Sequence, residues 1–228
     1  MNITELKPYI EWDIATWSKA LNYWQTIIED KKPKLAYGLE VGANKGGLSL
    51  FFSRVYNSQI ICSDYKFPDT AREIHQTYSL TTIPQYQQVD ATKMTFEDDT
   101  FDFVVFKSVL GGIGHHKGYS GIQKCLSEIH RVLKPNGILF FAENAKGSYL
   151  HQLARAVYRR DGWRFIALQE FESLLQIFSE KKLNLTGFSA AFAPNQEKLK
   201  KTLSQFDDYS SDFVPQNWKY VAYGYAIK

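Results

Sequence analysis

The stretch Gly38-Leu39-Glu40-Val41-Gly42-Ala43-Asn44-Lys45-Gly46-Gly47 decides how this chain is read. A short apolar run ends near an acid, small residues follow at once, and the apolar run Leu48-Ser49-Leu50-Phe51-Phe52 comes next. This pattern is a strand, a tight loop and the start of a helix, with a carboxylate near the strand's carboxyl end. Glycine lets such a loop bring backbone close to a nucleotide-like ligand, because it lacks a Cβ and tolerates positive φ. Asn44 stands where a third loop glycine is expected, and asparagine is among the few residues that visit the left-handed region. The loop is not the dinucleotide fingerprint GxGxxG, which sets a pyrophosphate on a helix N-terminus. An acid two residues before Gly42 suits a cationic ligand group better than a phosphate. Taken alone, the loop is also compatible with an ordinary strand-to-helix turn in another α/β protein.

Outward from the loop the pattern alternates. Residues 35–41 read as a strand and 46–56 as a helix; 59–63 as a strand and 68–78 as a helix. Residues 86–89 form a short strand and 101–106 a fully apolar one. A helix over 122–133 is closed by Lys134-Pro135-Asn136-Gly137, and 138–142 is a buried strand. Continuous apolar strands alternating with helices predict an α/β, Rossmann-like, doubly wound sheet. Before this core, 13–29 is an amphipathic helix opened by Asp13, with Trp17, Trp24 and Ile28 near one face, and a Lys-Lys-Pro break follows at 31–33. After it come helices near 147–160 and 169–181, a strand around 184–192, a polar helix over 197–206 and a last strand over 218–227. The expectation is one domain: an N-terminal helical segment (1–33), a core (34–144), a helical insertion (145–181) and C-terminal strands (182–228).

The chain has 228 residues, of which 44% are hydrophobic and 15% aromatic, enough to fill a sizeable core. A net charge of +3 is too small to imply a nucleic-acid partner. Cys62 and Cys125 lie in apolar surroundings without metal-ligand spacing and read as reduced core thiols. There is no apolar run of membrane-spanning length and no secretory h-region, so a cytoplasmic protein is expected, with no membrane insertion. Asp98-Asp99 is an acidic turn, and no metal site is expected.

Ligands in open α/β sheets bind outside the carboxyl ends of the strands. Three acids stand at three successive strand ends: Glu40, Asp64 and Asp90. Any one of them is explained as a turn former or helix cap. Three in phase with three strands point to a ligand site. Asp64 lies about 20 residues beyond the loop, where an acceptor-only carboxylate suits two ribose hydroxyls.

These features resemble class I S-adenosylmethionine-dependent methyltransferases. The loop resembles their motif E/D-x-G-x-G-x-G, with Asn44 in place of the middle glycine. Phe96-Glu97-Asp98-Asp99-Thr100-Phe101-Asp102-Phe103-Val104-Val105 looks like the family's approach to its fourth strand. Glu128-Ile129-His130-Arg131-Val132-Leu133-Lys134-Pro135-Asn136-Gly137-Ile138-Leu139 resembles its E-x-x-R-V-L-K-P-G-G-x-L helix, turn and fifth strand. The resemblance covers about residues 35–143. It implies a seven-stranded sheet, mostly parallel with an antiparallel C-terminal strand, S-adenosyl-L-methionine as cofactor and S-adenosyl-L-homocysteine as product. Carried over, Glu40 and the loop with Gly42, Asn44 and Gly46 hold the methionyl part. Asp64 holds the ribose, Asp90 with Ala91 the adenine amine, and Lys107 and Ser108 flank the methionyl end. Tyr65 packs on the adenine or is a surface aromatic.

The segment that follows the fourth strand, Phe106-Lys107-Ser108-Val109-Leu110-Gly111-Gly112-Ile113-Gly114-His115-His116-Lys117-Gly118, should face the acceptor. It lacks the D/N-P-P-Y/F motif and the Pro-Cys nucleophile of nucleic-acid methylation, so no DNA acceptor is expected. Its glycines suit a loop that closes over substrate. His115 or His116 is the candidate general base, or the pair is a surface or capping pair. Glu143 and Asn144 end the fifth strand near the same mouth or form a turn. His151 and Arg155, with Arg159 and Arg160, line a solvated helix face or bind an anionic acceptor. Trp12, Trp17 and Trp24 form a packing face or cover the acceptor pocket, and Lys198, Lys200 and Lys201 read as a solvated basic face. The segment 106–114, the turn Gly162-Trp163-Arg164-Phe165 and Trp218-Lys219-Tyr220 also resemble bacterial methyltransferases that accompany polysaccharide biosynthesis. That resemblance implies O-methylation of a small molecule, sugar or glycan precursor. The alternatives are a non-catalytic cofactor-binding module and an NAD(P)-dependent oxidoreductase. Oligomeric state is not legible.

Overall fold

Strands without polar alternation must be covered on both faces, and the chain achieves this by winding helices around one sheet. The computed structural model describes residues 3–157, 162–193 and 196–228. Its strands are β1 (Tyr37–Val41), β2 (Gln59–Asp64), β3 (Gln85–Gln88), β4 (Phe101–Lys107), β5 (Leu133–Asn144), β6 (Glu180–Thr186) and β7 (Val221–Ile227). The helices are α1 (Ile3–Ile10), α2 (Ile14–Lys31), α3 (Gly47–Tyr56), α4 (Asp69–His75), α5 (Leu110–Val132), α6 (Tyr149–Val157), α7 (Leu168–Leu174) and α8 (Glu197–Tyr209). The strand order is β3-β2-β1-β4-β5-β7-β6. β7 runs antiparallel to both β5 and β6, while the pairs from β3 to β5 are parallel. The expected doubly wound, seven-stranded sheet with an antiparallel C-terminal strand is therefore present. Its order reverses between β1 and β4, which is where such sheets bind ligands.

Alternate residues of the central strands feed two cores. Leu39, Val41, Val104, Phe106, Leu139 and Phe141 pack with α5 and α7. Phe103, Val105, Ile138 and Phe140 face the other way, onto α1, α2 and α3. Trp17 and Trp24 of α2 are buried in that second core, and Trp24 Nε1 donates to the Gly224 carbonyl at 3.0 Å. Cys62 and Cys125 are free and buried in different clusters. Among the described residues no helix is long and apolar enough to cross a membrane.

Five segments differ from expectation. Residues 3–10 form α1, with Pro8 inside it, ahead of the one helix expected in the N-terminal segment. Asp13 does open α2, but from a left-handed conformation, and its carboxylate accepts from the Thr16 and Tyr220 hydroxyls instead of capping the helix. The strand expected at 184–192 is β6 at Glu180–Thr186, because Gly187 at φ 76 ends it and Ser189–Phe192 turns as a 3-10 helix. The helix expected over 169–181 is correspondingly shorter. The helix expected over 147–160 is α6, and Arg159 and Arg160 lie outside the described residues.

The largest correction concerns Gly111, Gly112 and Gly114, which sit in the first turns of α5 rather than in a closing loop. The helix breaks later, at Gly118, where φ is 67. The glycines are there for packing. A Cβ on Gly111 would lie 1.9 Å from Trp163 Nε1, and one on Gly114 would lie 2.9 Å from Arg164. We expect Gly111→Ala to destabilise the protein by about 1–3 kcal/mol through overpacking, measured by urea denaturation. A mobile-loop role predicts the opposite, since alanine gains up to about 1 kcal/mol over glycine in a helix.

Candidate active site

Because β3, β2, β1, β4 and β5 are adjacent and parallel, their carboxyl ends form one edge. On that edge stand Asp90, Asp64, Glu40, Lys107 and Glu143. Glu40 is 3% exposed, and its carboxylate accepts from the backbone amides of Leu48 (3.2 Å) and Ser49 (2.8 Å) at the start of α3. Burial outweighs these bonds and raises its pKa to about 7. Glu143 is wholly buried and accepts from Val109 (2.7 Å), Leu110 (2.6 Å) and Asn144 (2.8 Å). Burial pushes its pKa up as well. Both acids thus face helix N-termini, where unpaired amides and the helix dipole favour a carboxylate.

The loop after β1 has the conformation its residues allow. Gly42, Asn44 and Gly46 have φ of 65, 50 and 71. The Asn44 backbone amide donates to the Asp64 carboxylate at 2.8 Å, so the loop and the second strand-end acid touch. Gly46 is required sterically: a Cβ there would meet His75 Nε2 at 2.6 Å. His75 is buried between the Gly46 carbonyl and the Tyr86 hydroxyl, each 2.9 Å away, and burial lowers its pKa. Nothing in the sequence distinguishes this histidine from a surface one.

Asp90 is engaged on two sides. Its carboxylate accepts from the Thr92 amide and hydroxyl (2.9 and 2.8 Å) and from Lys117 Nζ of α5 (2.7 Å). Partial burial acts to raise its pKa, but Lys117 and Thr92 prevail and hold it below the usual carboxylate range. Lys117 was not legible as a site residue. Ala91 is half-buried beside Asp90, and Tyr65 is 67% exposed.

Lys107 ends β4 and is 9% exposed, with Nζ lacking a hydrogen-bond partner. The Trp12 ring centroid is 3.0 Å from Nζ and that of Trp17 is 5.3 Å away. Burial lowers the Lys107 pKa to about 7, against the opposing pull of Glu11, Glu40 and Glu143. Ser108 follows at φ 59, a strained conformation for a residue with a Cβ, and its hydroxyl accepts from Asn144 Nδ2 at 2.6 Å. Tyr9, Glu11 and Trp12 close over Glu40, the loop and Lys107, leaving a cavity of about 10 Å³. Ligand pockets run to about 300–1,000 Å³.

The other candidates separate. His115 and His116 are exposed on α5, ring against ring at 4.9 Å, and do not line this cavity. His151 is neither solvated nor free to bind an anion: it is 2% exposed, between the Phe188 carbonyl and the Ser148 hydroxyl. Arg155 donates to the carbonyls of Lys146 and Ala145 and stacks on Phe165. Lys200 is buried, unlike the exposed Lys198 and Lys201. Among the described residues no group of three or more His, Cys, Asp or Glu side chains is placed to hold a metal ion.

Residues 39–141 match the family described as "Methyltransferase domain". With the strand order and the row of strand-end groups, this match supports a class I S-adenosylmethionine-dependent methyltransferase, with S-adenosyl-L-methionine as the cofactor. A Haemophilus influenzae relative, described as an uncharacterized protein, is 24% identical over 199 residues, or 75% of this chain and 78% of that one. The fold is similar to that of the PH0226 protein from Pyrococcus horikoshii OT3 (TM-score 0.60, 16% identity, 92% and 90% of the two chains). It is also similar to Haemonchus contortus phosphoethanolamine N-methyltransferase 2 in complex with S-adenosyl-L-methionine (TM-score 0.61, 17% identity, 100% and 57%). A third similar structure is the [4+2]-cyclase SpnF (TM-score 0.62, 17% identity, 93% and 82%).

The residues present fit this cofactor. The loop offers backbone at Gly42 and Gly46, Asp64 and Asp90 offer acceptors, and Lys107 is a buried polar group still without a partner. The mouth should also be visible in stability. Glu40 has a raised pKa, so its ionisation opposes folding: stability falls as pH rises from about 4.5 to about 7. Lys107 has a lowered pKa, so its charge opposes folding below about 7, and stability recovers as pH rises from there toward 10.5. In thermal unfolding followed against pH, we expect Glu40→Gln to remove the first limb and Lys107→Met the second, each on the order of 1–3 kcal/mol.

Proposed function

We propose that the chain transfers the methyl group of S-adenosyl-L-methionine to a hydroxyl of a small molecule or of a sugar or glycan precursor. The cofactor supplies an electrophilic methyl on a sulfonium. Glu40 and the loop with Gly42, Asn44 and Gly46 bound the methionyl end, with Lys107 and Ser108 on its other flank. Asp64 takes the ribose, and Asp90 with Ala91 takes the adenine, whose open side Tyr65 borders. A catalytic role for His115 or His116 requires the acceptor to lie against the exposed face of α5.

The observation that carries the hydroxyl-bearing acceptor is a cavity of about 230 Å³ just beyond the end of β5. It is lined by Lys146, Gln152, Gln169, Asn217 and Lys219. Amide side chains donate and accept at once, as a hydroxyl does, and this suits a polyol better than an apolar acceptor. Asn144, which bonds Ser108 at the cofactor mouth, immediately precedes Ala145 and Lys146 on the cavity wall.

Calorimetric titration with S-adenosyl-L-homocysteine, run beside NADH, tests the cofactor site. We expect micromolar binding of the first alone, weakened about 10–100-fold in Asp64→Ala with the fold retained. Unchanged affinity in that variant removes the ribose assignment, and binding of NADH alone overturns the reading. Release of S-adenosyl-L-homocysteine is then assayed with nucleotide sugars and glycans against amine acceptors. Turnover confined to amines replaces the hydroxyl assignment.

A further inference from the structure

At the carboxyl edge of the sheet each acid already has partners. Glu40 and Glu143 have helix amides, Asp64 has the Asn44 amide, and Asp90 has Thr92 and Lys117. The amine of Lys107 is the exception. It is nine-tenths buried, lines the mouth at the point where the strand order reverses, and has no hydrogen-bond partner. The charged groups acting on it are Glu11 from the link after α1, Glu40 from β1 and Glu143 from β5, and none of them forms an ion pair with it. The faces of Trp12 and Trp17 cover it. The tryptophan faces and the three carboxylates favour an ammonium, but removal from water without a hydrogen-bond acceptor outweighs them, and the neutral amine carries a lone pair that can take a proton.

We propose that Lys107 is a catalytic residue whose neutral amine takes the proton that the methyl acceptor gives up. The inference rests on the cofactor assignment above. As the acceptor's lone pair bonds to the methyl carbon, the carbon–sulfur pair stays on sulfur and the acceptor's proton passes to Nζ. The positive charge lost at sulfur reappears on Lys107, so the mouth keeps its net charge through the reaction. An ammonium at the same place would oppose the sulfonium before reaction and have no lone pair to offer.

The test needs no knowledge of the acceptor. S-adenosyl-L-methionine and S-adenosyl-L-homocysteine differ by one methyl group and one positive charge, and an ammonium beside the sulfur penalises only the charged ligand. Both are titrated calorimetrically against the full chain, its K107M variant and its K107R variant between about pH 6 and 8.5. In the unaltered chain, the affinity for S-adenosyl-L-methionine relative to S-adenosyl-L-homocysteine should rise about tenfold or more with pH, the equivalent of one unit of pKa coupling. The rise should vanish in K107M, a comparison that also cancels titration of the ligands' own amino groups. K107R should bind S-adenosyl-L-methionine weakly at every pH while keeping S-adenosyl-L-homocysteine.

If both ligands weaken together as pH rises, and both weaken in K107M, then Lys107 is an ammonium anchor for the ligand carboxylate and the proposal is overturned. A pH-independent ratio in the unaltered chain overturns it too, whether or not the variants fold. Failure of both ligands to bind the unaltered chain at any pH removes the cofactor assignment itself. With an acceptor in hand, K107M should lower kcat by about 10²–10⁴-fold at saturating cofactor, and rescue by K107R would refute a proton-accepting role.

Discussion

Two buried carboxylates fix the geometry on which the rest of this site depends. Glu40 at the end of β1 receives the first amides of α3, and Glu143 near the end of β5 receives the first amides of α5. A carboxylate this deeply buried is unfavourable unless hydrogen bonds satisfy it, and helix N-termini have unpaired donors of matching polarity. Glu40 therefore locks its strand end to the helix that follows across a loop of a few residues, and Glu143 ties the end of β5 to the start of α5, 33 and 34 residues earlier in the chain. The two loops also interlock: the space a Cβ on Gly42 would need is taken by Val109, 2.5 Å away. Both sides of the point where strand order reverses are held in one arrangement before any ligand arrives.

What was legible in the sequence was local. The β1–loop–α3 unit, the acids at the strand ends and the left-handed conformation of Asn44 follow from neighbouring residues, and they are present. The part that was not legible depends on partners far away in sequence. Gly111 and Gly114 read as freedom because their neighbours Trp163 and Arg164 stand some fifty residues later. The role of His75 depends on Gly46 and Tyr86, and that of Lys117 on Asp90. The E-x-x-R element shows the same division. It was visible as a family pattern, but its work is structural: Arg131 binds Glu128, the carbonyls of Met94 and Phe96, and Asp98, stitching the segment before β4 to α5.

Rigidity is distributed unevenly around the mouth. Glycines at 38, 47, 111 and 224 admit contacts that a Cβ would violate, and α1 is seated by buried Leu6, Tyr9 and Ile10, with the Tyr9 carbonyl against Gly47. The link from Glu11 to Asp13 is different. Trp12 is 41% exposed, and the residues on either side have left-handed φ of 73 and 44. Strained residues beside a ligand site are a common place to store a conformational change. With α1 seated in the core, this short link is the part of the mouth least held by packing.

Size alone does not choose the site. A cavity of about 640 Å³ lies at the opposite edge of the sheet, lined by Lys31, Lys34, Asp102, Lys134 and Glu180. It is far roomier than the mouth, yet its charges are already paired: Lys31 with Glu180, and Lys34 and Lys134 with Asp102. Partial burial acts to raise the Asp102 pKa, but Lys134 and the Tyr37 amide hold it below the usual carboxylate range, as expected of a satisfied structural ion pair. The small mouth holds the opposite combination of an unpartnered amine, two acids at helix starts and a strained link. Chemistry that is still unsatisfied on a rigid frame, rather than open volume, distinguishes the place where a ligand completes the structure.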